Sequence, residues 1–494
     1  MKKVIIIGGG IAGLSAGIYA RQSGFDTIIY ESHSIPGGAS TSWRRKGYLF
    51  EGGMHWLTGS SPEKALNKLW HETGALDETV PIYVRDPFSM YEFGGKRICI
   101  YRDVEKWRTH LIEISPEDKK EINCICNDIK KFIKTDMPIT DIKGVKTKNK
   151  ASVNILSMLS MLPAFMRMPF YAKQSSGEYA MRYKNPLLQQ LFKSIAGEEN
   201  SAVATVFTLS TFMANDGGYP EGGSLGMANR MAKKFVSLDG RIIYNTKVNQ
   251  VIVKNGKAVG VKIDGGEVYA DAVIVTQDAL VAIDTLFEEP IKESWAEKMR
   301  KETKPVLDTF ISLGIKADLS AIPESIVFSL DTPIYCVGQE MQNIGINNYA
   351  VYKGYAPEGC SAITSFISGD SYDWWKKKKG NGSYEAEKEK LVETFIEALT
   401  KKIPEIDGKV EVWDVATPLT YERYLHSYKG SWMTVMGKGA SMEEYPCKPQ
   451  NIANLYFAGQ RMKPPGGLPV ALETGRKAVQ YVCLDMDMVF QGNI

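Results

Sequence analysis

Residues 4–17 read VIIIGGGIAGLSAG, a β-branched run that passes directly into glycines at fixed spacing. The run Val4–Ile7 is typical of a buried parallel strand. In a strand–turn–helix unit, Gly8 makes the tight turn, Gly10 lets the backbone approach a pyrophosphate, and Gly13 lets the helix pack closely on the sheet. The stretch therefore predicts a dinucleotide-binding turn at the start of an α/β domain.

The same residues also fit a secretory signal peptide, because Lys2 and Lys3 precede an apolar run that ends in small residues. A second predicted strand, Thr27–Tyr30, ends in Glu31, eighteen residues after Gly13. A carboxylate at this place accepts hydrogen bonds from a ribose diol, and a signal peptide has no need of it. The dinucleotide interpretation is therefore favoured.

The composition limits the classes of protein to which the chain can belong. The chain has 494 residues, which predicts two or three domains, and its formal net charge of +3 gives no reason to expect nucleic-acid binding. The seven cysteines form no CxxC pair, which favours a reducing, cytoplasmic compartment. Cys124 and Cys126 have no histidine or second pair nearby, so no metal site is predicted.

Residues 155–172, ILSMLSMLPAFMRMPFYA, are the most apolar long stretch, but Pro163, Pro169 and Arg167 argue against a membrane span. Two interpretations of this stretch stay open. It is either an adaptable lid that dips into a membrane surface, with a basic run before it, or an ordinary core helix. The lysines of that run are Lys143, Lys146, Lys148 and Lys150.

A second glycine-rich turn follows the first nucleotide unit. Residues 32–43 read SHSIPGGASTSW, and residues 47–57 read GYLFEGGMHWL, with Gly53 closing a short predicted strand. An NAD enzyme has no need of a further glycine turn here. An FAD enzyme does need one, because FAD is a longer molecule and more of the protein backbone must approach it.

With these motifs, the chain resembles the phytoene desaturase, carotenoid isomerase and retinol saturase group of FAD-dependent, amine-oxidase-like flavoproteins. The resemblance extends over most of the chain. It includes residues 217–231 (GGYPEGGSLGMANRM), 416–432 (ATPLTYERYLHSYKGSW) and 454–479 (NLYFAGQRMKPPGGLPVALETGRKAV). The last segment is similar to the C-terminal flavin motif, although many relatives have an acid where this chain has Gln460.

The motifs and the resemblance together imply FAD as the cofactor. In the last segment, the resemblance implies that a helix begins near Gly467 with its N-terminus directed at the flavin. The residues predicted to bind FAD are Gly8, Gly10, Ile11, Ala12, Gly13, Glu31, Ser32, Gly37, Gly38, Ala39, Ser40, Gly53, Met54, His55, Val248, Gly459, Gln460, Gly467, Leu468 and Pro469.

The predicted fold is α/β, with a discontinuous Rossmann-type FAD-binding domain of residues 1–75, 215–290 and 450–494. Residues 76–214 and 291–449 are predicted to form a substrate domain, a mixed sheet capped by helices. Its predicted strands are 305–315, 326–330 and 362–367, and its predicted helix is 384–403. No second nucleotide unit is visible, because Gly256, Gly260, Gly265 and Gly266 are assigned to hairpin turns. Electrons are therefore expected to come from or go to the substrate or an external donor or acceptor.

The resemblance implies an oxidoreductase that acts on carbon–carbon bonds of a long apolar polyene or lipid, as desaturase, saturase or isomerase. A flavin amine oxidase is the alternative enzyme, and a lipid carrier of the Rab-escort or dissociation-inhibitor type is the alternative without catalysis. His55 is either a polar group beside the flavin or a core histidine, and both interpretations stay open. The predicted substrate-pocket residues are Trp56, Thr417, Arg423 and Tyr424. The expected partners are an apolar small molecule, an external electron partner and a peripheral membrane surface.

Overall fold

The structure is a computed structural model that describes residues 1–149, 155–441 and 443–492. The strands are β1 (Lys3–Ile7), β2 (Asp26–Tyr30), β3 (Ser42–Arg45), β4 (Tyr48–Glu51), β5 (Ile82–Tyr83), β6 (Ser89–Phe93), β7 (Lys96–Ile100), β8 (Tyr219–Pro220), β9 (Arg241–Ile243), β10 (Val248–Lys254), β11 (Lys257–Ile263), β12 (Gly266–Tyr269), β13 (Ala272–Val275), β14 (Pro305–Val306), β15 (Asp308–Ile315), β16 (Ser325–Cys336), β17 (Gln339–Asn348), β18 (Ser361–Ser368), β19 (Val410–Ala416), β20 (Met433–Thr434) and β21 (Leu455–Phe457).

The α-helices are α1 (Ile11–Gln22), α2 (Ala65–Glu72), α3 (Val104–Ile114), α4 (Lys119–Phe132), α5 (Ile155–Ala172), α6 (Ser176–Ala180), α7 (Pro186–Ala196), α8 (Ala202–Met213), α9 (Gly223–Ser237), α10 (Ala279–Thr285), α11 (Ser294–Glu302), α12 (Tyr372–Gly380), α13 (Tyr384–Thr400), α14 (Pro418–Leu425) and α15 (Leu468–Asp485).

The first sheet is parallel, with strand order β21-β13-β1-β2-β9. Its central strand, β1, is the β-branched run at the start of the chain, and Val4, Ile5 and Ile6 are fully buried. Parallel sheets are covered on both faces, which is why these strands are apolar throughout rather than alternating. The predicted strand–turn–helix is thereby confirmed, since β1 leads through the glycines into α1.

The second sheet is mixed, with strand order β19-β15-β18-β17-β16-β6-β7. Only the pairing of β16 with β6 is parallel, and the other pairs are antiparallel. The predicted strands at 305–315, 326–330 and 362–367 and the predicted helix at 384–403 are confirmed as β15, β16, β18 and α13, with shifted ends. The strands of the first sheet lie in the segments predicted for the FAD-binding domain, and those of the second sheet lie in the segments predicted for the substrate domain. The domain boundaries stay a prediction.

Two of the four glycines assigned to hairpin turns lie in strands instead. Gly260 lies inside β11, opposite Tyr269 of β12, rather than in a hairpin turn. A Cβ at this position would lie 2.1 Å from the carbonyl oxygen of Val268, so the close approach of the neighbouring strand explains the glycine. Gly266 is the first residue of β12, and Gly256 and Gly265 do lie in turns.

Helix α15 packs directly on α1, and this contact holds the C-terminal segment against the nucleotide turn. A Cβ on Gly475 would lie 2.4 Å from the carbonyl oxygen of Ala12. Beside it, the hydroxyl of Ser15 donates a hydrogen bond to the carbonyl of Leu472 at 2.8 Å. The backbones of the two helices therefore approach as closely as a glycine permits.

Replacing Gly475 with alanine should force α1 and α15 apart. We expect Gly475→Ala to lower the free energy of unfolding by about 1–3 kcal/mol, the usual effect of overpacking a close contact. Thermal unfolding followed by circular dichroism measures the change. Gly380→Ala is the matched control, because nothing lies within 4 Å of its Cβ position at the end of α12, and it should be neutral or slightly stabilising. Equal unfolding temperatures for the two variants would contradict the proposed contact.

Candidate cofactor and substrate site

The turn between β1 and α1 accepts only glycine at two places. Gly8 has a φ of +104°, and a Cβ on Gly13 would lie 1.9 Å from the carbonyl oxygen of Gly8. The N-cap of α1 is Gly10, which has no side chain to cap the first N–H groups of the helix. These groups and the positive end of the helix dipole are suited to bind phosphate oxygens.

Glu31 lies at the end of β2 and is tied to the glycine turn. Its Oε2 accepts the backbone N–H of Gly9 at 2.6 Å, and its Oε1 accepts that of His33 at 2.7 Å. Ser32, the next residue, places its hydroxyl 3.4 Å from Oε1. The carboxylate is thus held at the carboxyl edge of the sheet, where a ribose would meet it.

The second glycine turn contacts the first. The N–H of Gly37 donates to the carbonyl of Gly9 at 2.9 Å, and Gly38 has a φ of +59°. A Cβ on Gly53 would lie 2.4 Å from the carbonyl oxygen of Ala39 and close to Ser40. The structure therefore brings the three predicted FAD segments, 8–13, 37–40 and 53–55, into one continuous surface.

The C-terminal motif lies beside this surface, since β21 pairs with β13 and α15 packs on α1. The N–H of Gly459 donates to the hydroxyl of Thr474 at 2.9 Å. Gly467 caps α15 without a side chain, so the backbone N–H groups of Leu468 and Val470 receive no side-chain cap, while Pro469 has no N–H to satisfy. Val248, one of the residues predicted to bind FAD, is buried at the start of β10.

Gln460, beside this surface, has a buried polar atom without a partner in the part of the chain that the structure describes. Its Oε1 is buried and has no hydrogen-bond partner among the described residues. An unsatisfied buried amide oxygen costs about 1–3 kcal/mol, which a bound hydroxyl or amide can restore. Together with the two uncapped helix N-termini and the glycine surfaces, it fits a long dinucleotide such as FAD. Which residue meets which atom stays a prediction.

His55 follows these glycines and lies among aromatic rings from distant parts of the chain. Its Nδ1 is buried without a hydrogen-bond partner among the described residues, although the residue keeps partial exposure. Burial, with a smaller effect of the Arg85 charge, lowers the pKa of His55 to about 4, so the imidazole is neutral at physiological pH. The ring cluster around it consists of Trp56, Phe310, Phe366 and Trp432, with centroids 5.0–6.4 Å from the imidazole.

Two buried carboxylates hold Trp432 in the ring cluster. Asp308 accepts the indole N–H of Trp432 and the hydroxyl of Ser368, each at 2.5 Å, and burial raises the pKa of Asp308 to about 6. Asp278 binds Arg461 with both carboxylate oxygens, at 3.1 and 2.7 Å. The guanidinium of Arg461 in turn donates to residues 431, 433 and 434 on both sides of the tryptophan.

The structure separates the predicted substrate-pocket residues. Trp56 lies in the ring cluster, but Thr417 is the buried N-cap of α14 and its hydroxyl also contacts that of Tyr384. Arg423 and Tyr424 are exposed on the last turn of α14, where Arg423 stacks on Tyr424 and Tyr424 contacts the ring of His33. Among the described residues, neither contacts the ring cluster. Helix α14 carries Arg423 and Tyr424 to the surface, and their role in a substrate pocket stays a prediction.

The family model for flavin containing amine oxidoreductases matches residues 11–483. The chain belongs to the flavin-containing amine oxidoreductase family. It is an FAD-dependent oxidoreductase, as the sequence predicts, and it has the expected α/β architecture.

Similar proteins include a chloroplastic prolycopene isomerase of Daucus carota, 24% identical over 98% of this chain and 80% of the relative. A 4,4'-diapophytoene desaturase (4,4'-diapolycopene-forming) of Methylomonas sp is 23% identical over 97% of this chain and 95% of the relative. The fold is also similar to that of cyclohexylamine oxidase from Brevibacterium oxydans, with a TM-score of 0.63 and 13% identity over 98% of this chain and 99% of that one. Within the described residues, no helix is long and apolar enough to cross a membrane.

The lowered pKa of His55 predicts how stability depends on pH. A histidine whose folded pKa lies below its unfolded value stabilises the fold fully above the unfolded pKa, and this contribution is lost as the pH falls toward the folded pKa. Between pH 8 and pH 5, the FAD-loaded wild type should therefore lose about 2 kcal/mol more stability than His55→Gln. Thermal unfolding at the two pH values measures it, as an extra fall of about 2 °C in the midpoint.

His71→Gln is the control for this comparison, since His71 lies near the surface, 3.9 Å from Glu78. It should keep the wild-type dependence on pH. If His55→Gln and the wild type lose the same stability between the two pH values, the buried neutral imidazole is contradicted.

Proposed function

We propose that this flavin-containing amine oxidoreductase acts on carbon–carbon bonds of a long apolar polyene bound at the ring cluster, by desaturation, saturation or isomerisation. The observation that carries the proposal is the neutral His55 enclosed by four aromatic rings beside the predicted flavin segment. The printed names of the carrot isomerase and the bacterial desaturase support the same substrate class. FAD, when bound, supplies two-electron oxidation or reduction.

The chain itself contributes positioning and exclusion of water. Phe366 is 41% exposed, so the ring cluster offers an apolar wall that a hydrocarbon chain covers favourably. Glu51 fixes the approach to His55, because its Oε1 accepts the N–H groups of Gly53 and Met54 at 2.9 and 3.2 Å. Its Oε2 accepts the hydroxyl of Tyr219 at 2.5 Å. A rigid loop of this kind holds a reacting bond in place, which is a large part of catalysis in a dry site.

An amine oxidase is the alternative enzyme, and the charge near the site speaks against it. The guanidinium of Arg85 donates to the carbonyl of His55 at 2.6 Å, so a positive charge lies next to the ring cluster. A protonated amine would be repelled by that charge, while a hydrocarbon would not. The carboxylate beside the rings, Asp308, is already used by Trp432 and Ser368.

Product analysis tests the proposed reaction. The FAD-loaded protein is incubated with carotenoids, retinoids and unsaturated fatty acids, with and without an artificial electron acceptor or donor. We expect a product two mass units lighter, two heavier, or of equal mass with changed retention, for desaturation, saturation and isomerisation respectively. Reduction of the flavin by primary amines, without conversion of any polyene, would overturn the proposal and favour the amine oxidase.

The electron partner is proposed to be external. The described residues contain one parallel sheet with a glycine turn of the nucleotide type, at β1 and α1. Desaturation or saturation then requires an acceptor or donor such as oxygen, a quinone or a separate reductase. Isomerisation requires none over a full cycle.

We also propose that α5 seats the protein on a membrane surface, from which an apolar substrate is drawn. Met161 and Ala164 are buried, but the outer face of this helix is apolar and exposed, which a core helix would not be. Asp128 of α4 holds α5 in place, since its carboxylate accepts the Nε–H of Arg167 at 2.6 Å and the hydroxyl of Tyr171 at 2.7 Å. The exposed apolar residues of α5 include Met158, Leu159, Leu162, Phe165 and Met166.

Two lysines of the basic run before α5 contact the C-terminal segment of the chain. Lys146 pairs with Asp487 at 2.5 Å, and the N–H of Lys148 donates to the carbonyl of Phe490. Lys150 lies outside the described residues. The proposed membrane contact is argued from the exposed apolar face of α5.

Charges on α5 should abolish membrane binding. Leu159→Glu combined with Phe165→Glu should reduce co-sedimentation with phosphatidylcholine and phosphatidylglycerol vesicles more than tenfold, since each buried apolar side chain contributes about 1.5–3 kcal/mol. FAD content should stay unchanged. Tyr335→Glu combined with Val351→Glu is the control, because both side chains are exposed and lie outside α5. A wild type that binds neither vesicle contradicts the proposal, as does a control that is impaired equally.

A further inference from the structure

Arg85 is a buried cation directly behind His55. It follows β5, is 7% exposed, and its Nη2 donates to the backbone carbonyl of His55 at 2.6 Å. Its guanidinium also lies 5.0 Å from the centre of the Phe88 ring. The side chain therefore joins the segment between β5 and β6 to the backbone of His55, whose ring lies in the ring cluster.

No carboxylate among the described residues lies within ion-pair distance of this guanidinium. The chain has other buried arginines, and two of them are paired: Arg461 with Asp278 and Arg476 with Asp141, each at 2.7 Å. Arg102, like Arg85, is buried and has no ion pair among the described residues, and Arg85 is the one of these two that contacts His55. A buried guanidinium does not release its proton, and a buried charge without a partner costs several kcal/mol.

The neighbouring groups do not neutralise Arg85. Arg102 lies behind it, and its Nε donates to the backbone carbonyl of Arg85 at 2.6 Å, which adds a second positive charge. The acids Asp86 and Asp216 lie near Arg102, and the Asp216 carboxylate accepts three groups of the 59–61 loop. Glu324 accepts the hydroxyl of Tyr352 at 2.5 Å and forms no ion pair with Arg85 among the described residues.

We propose that Arg85 binds the carboxylate at one end of the substrate, which is then a long unsaturated carboxylic acid rather than a pure hydrocarbon. A guanidinium has five N–H groups in a planar fork that matches a carboxylate, and the carbonyl of His55 uses one atom of that fork. The unpartnered Nδ1 of His55 is a second polar atom on the residue that Arg85 holds. The apolar chain of the acid lies along the ring cluster. This inference rests on the proposed polyene or lipid substrate and narrows it.

A purely structural role is the competing explanation. In that case Arg85 serves only to hold the carbonyl of His55, and a neutral donor such as glutamine would do the same. The two explanations differ in charge, because only a charged Arg85 distinguishes an acid from an alcohol of the same chain.

Calorimetric titration of the full-length, FAD-loaded protein with retinoic acid and retinol tests the inference without requiring turnover. We expect the wild type to bind the acid ten- to a hundredfold more tightly than the alcohol, the range of a charge-assisted hydrogen bond. Arg85→Gln should lose this preference while its affinity for retinol stays unchanged. Arg85→Lys should keep part of it, and Arg97→Gln, an exposed arginine paired with Glu92, should keep all of it.

Equal binding of acid and alcohol by the wild type would overturn the inference, even if Arg85→Gln fails to fold. An equal loss of both ligands in Arg85→Gln would assign Arg85 a structural role instead. Failure of the proposed reaction looks different, since it leaves a protein that prefers the acid and converts no polyene. The linoleic acid and linoleyl alcohol pair repeats the comparison on a flexible chain and should give the same preference.

Discussion

The rest of the structure depends on the contact between Gly8 and Gly13, where a side chain on the helix would lie 1.9 Å from a carbonyl oxygen of the preceding turn. This contact fixes the direction in which α1 leaves β1. Helix α15 then packs on α1 through Gly475, and the C-terminal strand β21 extends the same sheet. Segments more than four hundred residues apart in the chain thus meet at one glycine surface.

Buried charge organises the region around the ring cluster. Where the charges are balanced, as in the pair of Asp278 with Arg461, they tie the sheet that binds the cofactor to the segment around Trp432. Breaking such a pair leaves an uncompensated ion in a dry interior and costs about 3–5 kcal/mol. For the same reason, a buried charge without a partner in the protein indicates where a ligand of opposite charge would bind. The buried charge of Arg85 has no ion-pair partner within the described residues. A substrate carboxylate is the group that would offset the unfavourable burial of this charge.

Local motifs made much of the cofactor site predictable. The glycines at 8–13 and 37–38 and Glu31 need only short-range geometry, because turn, helix start and strand end are each encoded within a few residues. Local motifs do not predict the ring cluster. Phe310, Phe366 and Trp432 meet His55 only through the pairing of β15 with β18 and the long segment after α14. No periodicity within one stretch signals such a contact.

The exposed positions of Arg423 and Tyr424 have the same origin. They belong to a segment that carries the resemblance, but α14 turns its last residues outward, and the direction of a helix decides which residue faces the ring cluster. Arg85 shows the reverse case. It stands in no motif, and its significance appears only when the partners of each buried ion are compared. A neutral imidazole and an unbalanced guanidinium side by side disfavour an ammonium substrate and favour an apolar chain that ends in an anion, so a fold shared with amine oxidases here carries the opposite electrostatic preference.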